Sequence, residues 1–368
     1  MDAFSAWKIS ENDFPVDGNE VTKLRFLASY ATLSPSTYNT QPWLFIVEGK
    51  GLGLYLDRRQ GLAVIDPEDR QMVLGCASAL YYMEVAAKYF GYKLEITLKS
   101  EEEGDEDLLA RITLGVPHQP SEEEKLLFNV ITKTHPNKKA FHKGPVANDD
   151  LVALKEVVAK QGAWLHICDS NEKNALTRMI IEADYIQGSK RNFRRELASW
   201  TDRRRLLSGD GTPQATLSTK RILTSMEPLA ERRFTVEDDS VVSDEKMLDH
   251  MPVLAVLGSV TGALSNKIMA GRGFAALILE AELRGIAFST LNQPCQLPET
   301  RLRMYDELGL QGRAHIILRL GYPKKKAEIL PRRPIGSVVL SNVEEIAPVV
   351  PKKNMLDALV NFFTKKPS

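Results

Sequence analysis

The stretch Ser34-Pro35-Ser36-Thr37-Tyr38-Asn39-Thr40-Gln41-Pro42-Trp43 decides the fold of this chain. It lies between an apolar run with helical spacing, residues 24–33, and an apolar run typical of a strand, residues 44–47. Proline biases the residue before it away from helical backbone angles, so the two prolines predict an open loop. The Ser, Thr, Asn and Gln side chains make that loop polar. The alternative is a loop that Ser-Pro and Gln-Pro merely punctuate.

Composition indicates a globular protein with no overall attraction to polyanions. The chain has 368 residues, of which 43% are hydrophobic and 26% charged, enough for one large domain or two medium ones. Its 48 basic and 48 acidic residues cancel. This balance argues against nucleic-acid binding and against binding to an anionic membrane, so any anion site must be local.

Cysteine and histidine usage predicts neither a disulfide framework nor a metal site. Cys76, Cys168 and Cys295 form no CxxC pair, which favours free thiols in a reducing compartment. Five of the six histidines are interpreted as structural, because none of them has a carboxylate or another histidine at metal-ligand spacing; they are His118, His142, His166, His250 and His315. With no signal-peptide pattern and no apolar run near the roughly 20 residues of a membrane span, the sequence predicts a cytoplasmic protein.

The order of predicted elements indicates an internal repeat. In the first part, a helix over 21–33 precedes a hairpin over 43–56, and a helix over 71–90 ends at Gly91 before two more strands. In the second part, a helix over 149–160 precedes a strand over 164–168, and a helix over 271–284 ends at Gly285 before strands over 286–291 and 314–320. The glycines of the first hairpin lack the GxGxxG spacing, which argues against a Rossmann fold.

The polar loop resembles the Pro-Ser-Ser-x-Asn-x-Gln-Pro-Trp loop of the FMN-dependent nitroreductase superfamily. Over residues 21–339 the chain is most similar to the two-repeat, Acg-like branch. The resemblance implies an α+β, nitroreductase-like fold in which two tandem units form an intramolecular pseudo-dimer with one FMN between them. The implied parts are a first unit (1–115) with the flavin-ring loop, a second unit (116–345) with the phosphate clamp and a lid at about 201–249, and a tail (346–368).

The resemblance also assigns candidate cofactor contacts. In the first unit, the implied contacts to the flavin ring are Pro35, Ser36, Thr37, Asn39 and Gln41. In the second unit, the phosphate is expected to bind the basic turn, through His135, Asn137 and Lys139, and the two arginines Arg332 and Arg333. The backbone N–H groups of Asn292 and Gln293 are expected to face flavin N5. Arg272 is expected to begin a helix and to assist an anion there. The alternatives are a solvated lysine pair in the turn and a surface pair of arginines.

The implied activity is transfer of two electrons from NAD(P)H through FMN to a small acceptor such as a nitroaromatic or quinone, with no side chain named as catalytic. One alternative is an FMN-sequestering storage protein whose lid prevents turnover. Another is a degenerate flavin fold that serves as an interaction protein. The chain is expected to be a monomeric pseudo-dimer or a homodimer without an integral membrane segment. Its amphipathic tail is expected to dock on the body or on a second chain, and the alternative is that it lies on a membrane surface.

Overall fold

The computed structural model describes residues 4–100, 103–212 and 251–342. Most of the expected lid and the whole expected tail lie outside these residues, and so does His250. Within the described residues, no helix combines the length and apolar character that crossing a membrane requires.

The first part of the chain carries four strands and two long helices. Its elements are α1 (Glu20–Ala31), β1 (Trp43–Glu48), β2 (Gly51–Leu56), α2 (Arg70–Tyr89), β3 (Tyr92–Leu98) and β4 (Leu108–Pro117), with 3-10 turns at Ser5–Lys8, Glu11–Asp13, Thr37–Asn39 and Arg58–Gln60. Helix α1 begins where Asn19 caps the N–H of Thr22 at 2.9 Å. Helix α2 is apolar on most of its circumference and correspondingly buried.

The second part repeats this pattern with additional helices. Its elements are α3 (Glu122–Asn129), α4 (Asn148–Ala159), β5 (Trp164–Ile167), α5 (Ser170–Ser189), α6 (Arg191–Trp200), α7 (Arg203–Ser208), β6 (Val253–Ser259), α8 (Leu264–Leu283), β7 (Ala287–Thr290), α9 (Gln293–Gln296), α10 (Pro298–Leu308) and β8 (Arg313–Gly321). A 3-10 turn at Ile335–Ser337 then leads into β9 (Val339–Leu340).

The two sheets have the same internal order. The first runs β3-β4-β2-β1-β9 and the second runs β5-β6-β8-β7. Counted within each unit, both follow the order first, second, fourth, third, and all of these pairs are antiparallel. Strand β9 lies far along the chain yet pairs parallel with β1, so the C-terminal segment crosses onto the first sheet.

Helices α2 and α8 pack against each other and join the two units. Each connects the second and third strands of its own unit, and both contribute to one continuous hydrophobic core. A Cβ on Gly271 of α8 would lie 2.5 Å from the Leu74 carbonyl oxygen of α2, so this glycine permits the close crossing. The α+β fold class is confirmed, and the repeated sheet order matches the expected pair of units. The boundary at residue 115 stays a prediction, although β4 runs on to Pro117.

Two sequence expectations about helices are wrong. Helix α8 begins at Leu264, before the expected start at 271, because its polar first turns conceal the helical pattern. Arg272 therefore lies within the helix, where its guanidinium pairs with Glu84 of α2 and serves no helix N-terminus. Helices α5 and α6 follow one another directly, and the backbone of Lys190 is extended between them.

Candidate functional site

The polar loop between α1 and β1 is backbone-strained. Tyr38, Asn39 and Gln41 have φ values of 50°, 58° and 51°, in the left-handed region that side chains other than glycine seldom adopt. Such conformations persist only where the surroundings hold them, and they concentrate at binding and catalytic sites. The strain therefore marks this loop as a candidate site, as its sequence predicts.

Asn39 and Gln41 connect the loop to the second half of the chain. The Asn39 amide donates to the carbonyls of Gly211 (2.9 Å) and Pro331 (3.0 Å). The Gln41 amide donates to the Gly209 carbonyl at 2.8 Å, and its Oε1 accepts from the backbone N–H of Arg333 at 2.8 Å. Both side chains are buried. They position the loop through protein contacts.

The start of the same loop contacts helix α2. Ser36 Oγ accepts from the backbone N–H of Gln41 at 2.9 Å, and Thr37 Oγ1 donates to Gln71 Oε1 at 2.7 Å. Gln71 Nε2 is buried and has no hydrogen-bond partner among the described residues. Pro35 is buried behind these groups. An unpaired donor of α2, Gln71 Nε2, therefore lies beside the loop.

Helix α9 of the second unit reaches the start of α2 as well. Arg70 donates to the Cys295 carbonyl at 3.1 Å, and Arg70 is the neighbour of Gln71. Asn292 Oδ1 accepts from the backbone N–H of Ile317 at 3.0 Å, which fixes the turn before α9. Within residues 4–100, 103–212 and 251–342, Gln293 Oε1 is buried without a partner. The residues that the resemblance assigns to the flavin ring in each of the two units therefore lie near the start of α2.

Arg332 is a buried cation that has no carboxylate partner among the described residues. Its guanidinium donates to Asn39 Oδ1 and to the Leu33 carbonyl, both at 2.9 Å, and lies 4.7 Å from the centre of the Trp7 ring. Its Nε is buried and has no partner in the part of the chain that the structure describes. Burial lowers the pKa of Arg332 to about 10.

His135 joins this group through Trp7. The ring centres of Trp7 and His135 are 4.6 Å apart. Burial, followed by the positive charge of Arg332, lowers the pKa of His135 to about 4, so the imidazole is neutral at pH 7. His135 therefore brings no positive charge for a phosphate at this pH.

Arg333 already has a buried counter-ion. Its guanidinium lies 2.9 Å from Asp57, and both side chains are almost fully buried. It also donates to the Gln41 carbonyl at 2.8 Å. Desolvation by burial lowers the pKa of Arg333, and Asp57 opposes that change. Through these contacts Arg333 holds the polar loop in place.

The basic turn is held against strands β7 and β8. Asn137 donates through its backbone N–H to the Phe288 carbonyl at 2.7 Å and through its side chain to the Lys325 carbonyl at 2.8 Å. Lys139 pairs with Glu328 at 3.1 Å. The carbonyls of both turn residues accept from Arg319, at 3.2 and 3.1 Å. The turn is thus anchored by an arginine that sequence reasoning did not identify.

Arg319 and Lys138 are cations without a carboxylate partner among the described residues. Arg319 lies over the Phe141 ring at 4.3 Å, its Nε has no partner among the described residues, and burial lowers its pKa to about 10. Lys138 is exposed to solvent. Two cations at this turn that lack a carboxylate partner favour an anion.

The donor set fits FMN in its chemistry. A phosphate would supply the counter-charge that Arg319 and Lys138 lack, and the polar rim of a flavin needs short hydrogen-bonding groups such as those of Ser36 and Thr37. Gln71 Nε2 offers one unused buried donor beside the loop. Trp7, Gln71, Lys138 and Arg319 were missed from the sequence. Arg319 alone carried a signal, as a lone charge in an apolar strand.

Comparisons with known proteins were made for the whole chain. No family model matches it. It is 26% identical, over 324 residues, to a Mycobacterium tuberculosis protein named putative NAD(P)H nitroreductase Rv3131, covering 86% of this chain and 90% of the relative. It is 24% identical, over 313 residues, to the putative NAD(P)H nitroreductase acg of the same species, covering 84% and 92%. These relatives confirm the resemblance to the nitroreductase superfamily.

Two similar solved structures cover a smaller share of this chain than the sequence relatives do. The FMN-dependent nitroreductase NfnB from Mycobacterium smegmatis in complex with NADPH is 13% identical with a TM-score of 0.38, covering 62% of this chain and 99% of that one. A nitroreductase with bound FMN from Bacteroides fragilis is 15% identical with a TM-score of 0.36, covering 61% and 98%.

Proposed function

From the confirmed resemblance to the nitroreductase superfamily, we propose that this chain is an FMN-binding oxidoreductase. It passes two electrons from NAD(P)H through FMN to a small acceptor such as a nitroaromatic or quinone. The observation that carries the proposal is the strained polar loop at Tyr38 to Gln41, held by the arginine segment of the second unit at residues 332–333. The relatives named putative NAD(P)H nitroreductases support the choice of electron donor.

The residues of this chain would bind and orient the cofactor. Ser36, Thr37 and Gln71 would meet the rim of the flavin from the first unit, and the backbone N–H groups of Asn292 and Gln293 remain the proposed donors from the second. Lys138 and Arg319, with the turn at Asn137 and Lys139, would meet the phosphate. When bound, FMN supplies the redox chemistry, taking up an electron pair and delivering it.

Asn39, Gln41, Arg332 and Arg333 have a positioning role in this proposal. Their side chains already bind one another and the segment at 209–211, so they would hold the loop in its strained form. The expected clamp role for the two arginines stays a prediction for Arg332, whose Nε is unpartnered. For Arg333 we favour the positioning role, since its guanidinium is held by Asp57 and by the Gln41 carbonyl.

Anaerobic mixing of the FMN-loaded protein with NADPH tests the proposed activity. We expect the visible flavin band to bleach and to recover when a quinone or nitroaromatic is added. A flavin band that NADH and NADPH both leave unchanged would contradict the oxidoreductase and favour the storage protein. Protein that stays colourless after exposure to FMN would favour the degenerate fold.

A further inference from the structure

A second cluster of reactive side chains lies where strand β5 passes into helix α5. His166 and Cys168 are two residues apart along extended chain, so their side chains leave the backbone on the same side. Glu172 lies in the first turn of α5 and turns back to bind the N–H of Asp169 at 2.8 Å. The ligating atoms of His166, Cys168 and Glu172 lie within 4.8 Å of one another. The capping bond between Glu172 and the N–H of Asp169 brings the Glu172 carboxylate close to His166 and Cys168.

The charge around Cys168 suits a cation. His166 Nε2 lies 3.0 Å from both carboxylate oxygens of Glu172. The carboxylate of Glu172, whose ligating oxygen lies within 4.8 Å of Cys168 Sγ, would attract a divalent metal ion.

We propose that His166, Cys168 and Glu172 bind one Zn²⁺ ion. Imidazole nitrogen, thiolate sulfur and carboxylate oxygen are the ligands that zinc takes in proteins, at about 2.0–2.3 Å, with water free to fill the fourth position. The three side chains are half-buried, so solvent ions reach them and modest rotation draws them together. As the Zn–S bond forms, the thiol proton passes to solvent.

The position of the site gives the metal a structural role. Strand β5 is an edge strand of the second sheet and pairs only with β6 among the described strands. A metal bound by both the strand end and the first turn of α5 would tie that edge to the helix. The expected consequence is a higher melting temperature in the presence of zinc.

The chain contains a natural control for this arrangement. His118, Ser121 and Glu124 repeat the spacing of His166, Asp169 and Glu172, with a capping box at the start of α3 and a His118 to Glu124 distance of 2.7 Å. Here Lys88 pairs with Glu124 at 3.0 Å and supplies positive charge, and proline occupies position 120 where the second copy has Cys168. The first copy is therefore expected not to bind zinc.

The experiment is competition between the reduced, full-length protein and a colorimetric zinc chelator, together with the absorption spectrum after Co²⁺ is added. We expect the wild type to retain one Zn²⁺ per chain and to show a thiolate-to-cobalt charge-transfer band. Cys168→Ser and His166→Gln should each weaken zinc binding by at least the roughly 10–100-fold that even outer-shell changes cause. His118→Gln should bind zinc like the wild type.

Three results would overturn the site. They are wild-type protein that yields all of its zinc to the chelator, a cobalt spectrum without the thiolate band, and a folded Cys168→Ser variant that retains zinc as the wild type does. Because the cobalt spectrum is recorded on the wild type, the proposal remains testable if a variant fails to fold. The readout does not depend on bound FMN, so its outcome is separate from that of the proposed function.

Discussion

At the scale of single residues, the polar loop shows how much of a site its sequence can reveal. The prolines and the small polar residues predicted an open polar loop. The structure has a polar loop there, but it contains a 3-10 turn at Thr37–Asn39, and its Asn39 and Gln41 side chains are buried. The partners of Asn39 and Gln41 could not be predicted, because they lie at residues 209–211 and 331–333, far along the chain. A short motif defines the chemistry of its own residues, whereas long-range contacts are fixed by how the whole chain folds.

Lys138 is the residue that most directly tests the proposed phosphate end. Replacing it with Gln should lower FMN affinity by about tenfold, since one hydrogen bond to a charged group contributes about 1.5 kcal/mol or more. Isothermal titration with FMN measures the change. Lys155→Gln, on the exposed face of α4, is the matched control and should leave FMN affinity unchanged. Equal affinities for the two variants would remove Lys138 from the phosphate site.

The ion pair between Arg333 and Asp57 is expected to contribute strongly to folding. Asp57→Asn leaves a buried guanidinium without its counter-charge, so we expect the free energy of unfolding to fall by about 3–5 kcal/mol. Urea unfolding followed by circular dichroism measures the loss. Asp202→Asn removes a solvent-exposed carboxylate that pairs with Arg204 at 2.9 Å, and should lower the stability far less than Asp57→Asn does. Similar losses for both variants would contradict a buried role for Asp57.

His315 should make the protein less stable in acid. It is buried, with Nε2 2.7 Å from Ser259 Oγ, and burial and then nearby cations, with Arg70 first, lower its pKa from 6.5 to about 3. Below pH 6.5 the His315 imidazole takes up a proton in the unfolded chain but stays neutral in the folded state. The free energy of unfolding therefore falls as the pH drops below about 6.5, and it levels off near pH 3.

The size of this effect can be measured by comparison with a variant. Between pH 7 and pH 4.5 the His315 contribution should amount to about 2–3 kcal/mol. His315→Gln should therefore lose less stability over that interval than the wild type, whatever its stability at pH 7. Urea unfolding at the two pH values gives both losses. Equal losses of stability in the wild type and in His315→Gln would show that the pKa of His315 is not lowered in the folded state.

At the scale of elements, the crossing of α2 and α8 depends on a missing side chain. In Gly271→Ala, the new Cβ would lie 2.5 Å from the Leu74 carbonyl oxygen and 2.7 Å from Ala77 Cβ. We expect a net loss of about 1–3 kcal/mol, although alanine favours a helix over glycine by about 1 kcal/mol.

Gly75→Ala on α2 is the matched control for that substitution. Its Cβ would meet Pro42 only at 3.5 Å, an ordinary contact, so the propensity gain of up to about 1 kcal/mol should appear. Thermal unfolding of both variants measures the two changes. A Gly271→Ala variant as stable as Gly75→Ala would show that the helices can move apart without cost.

Element prediction succeeded where the hydrophobic pattern was strong. The hairpin of β1 and β2, helix α2 and the buried strand β8 all follow from apolar runs bounded by turn residues. It failed at the start of α8, where polar residues begin a helix, and at β9, whose two residues are too short for a pattern. Tertiary pairing with β1 creates β9, and local sequence carries no sign of it.

At the scale of the whole molecule, the repeated order of elements was the most informative signal. Two sheets with the same strand order, joined through α2 and α8, are consistent with a pseudo-dimer built in one chain. The crossing of β9 onto the first sheet joins the arginine segment to the polar loop. The sequence could predict two units, but the contacts between them depend on packing that no local pattern records.

The central claim is that the two units together form one flavin site. The most direct measurement is the amount of FMN released on denaturation of protein that has been saturated with FMN and then desalted. We expect one FMN per chain, whether the protein is a monomer or a homodimer. Protein that retains no FMN after saturation would contradict it.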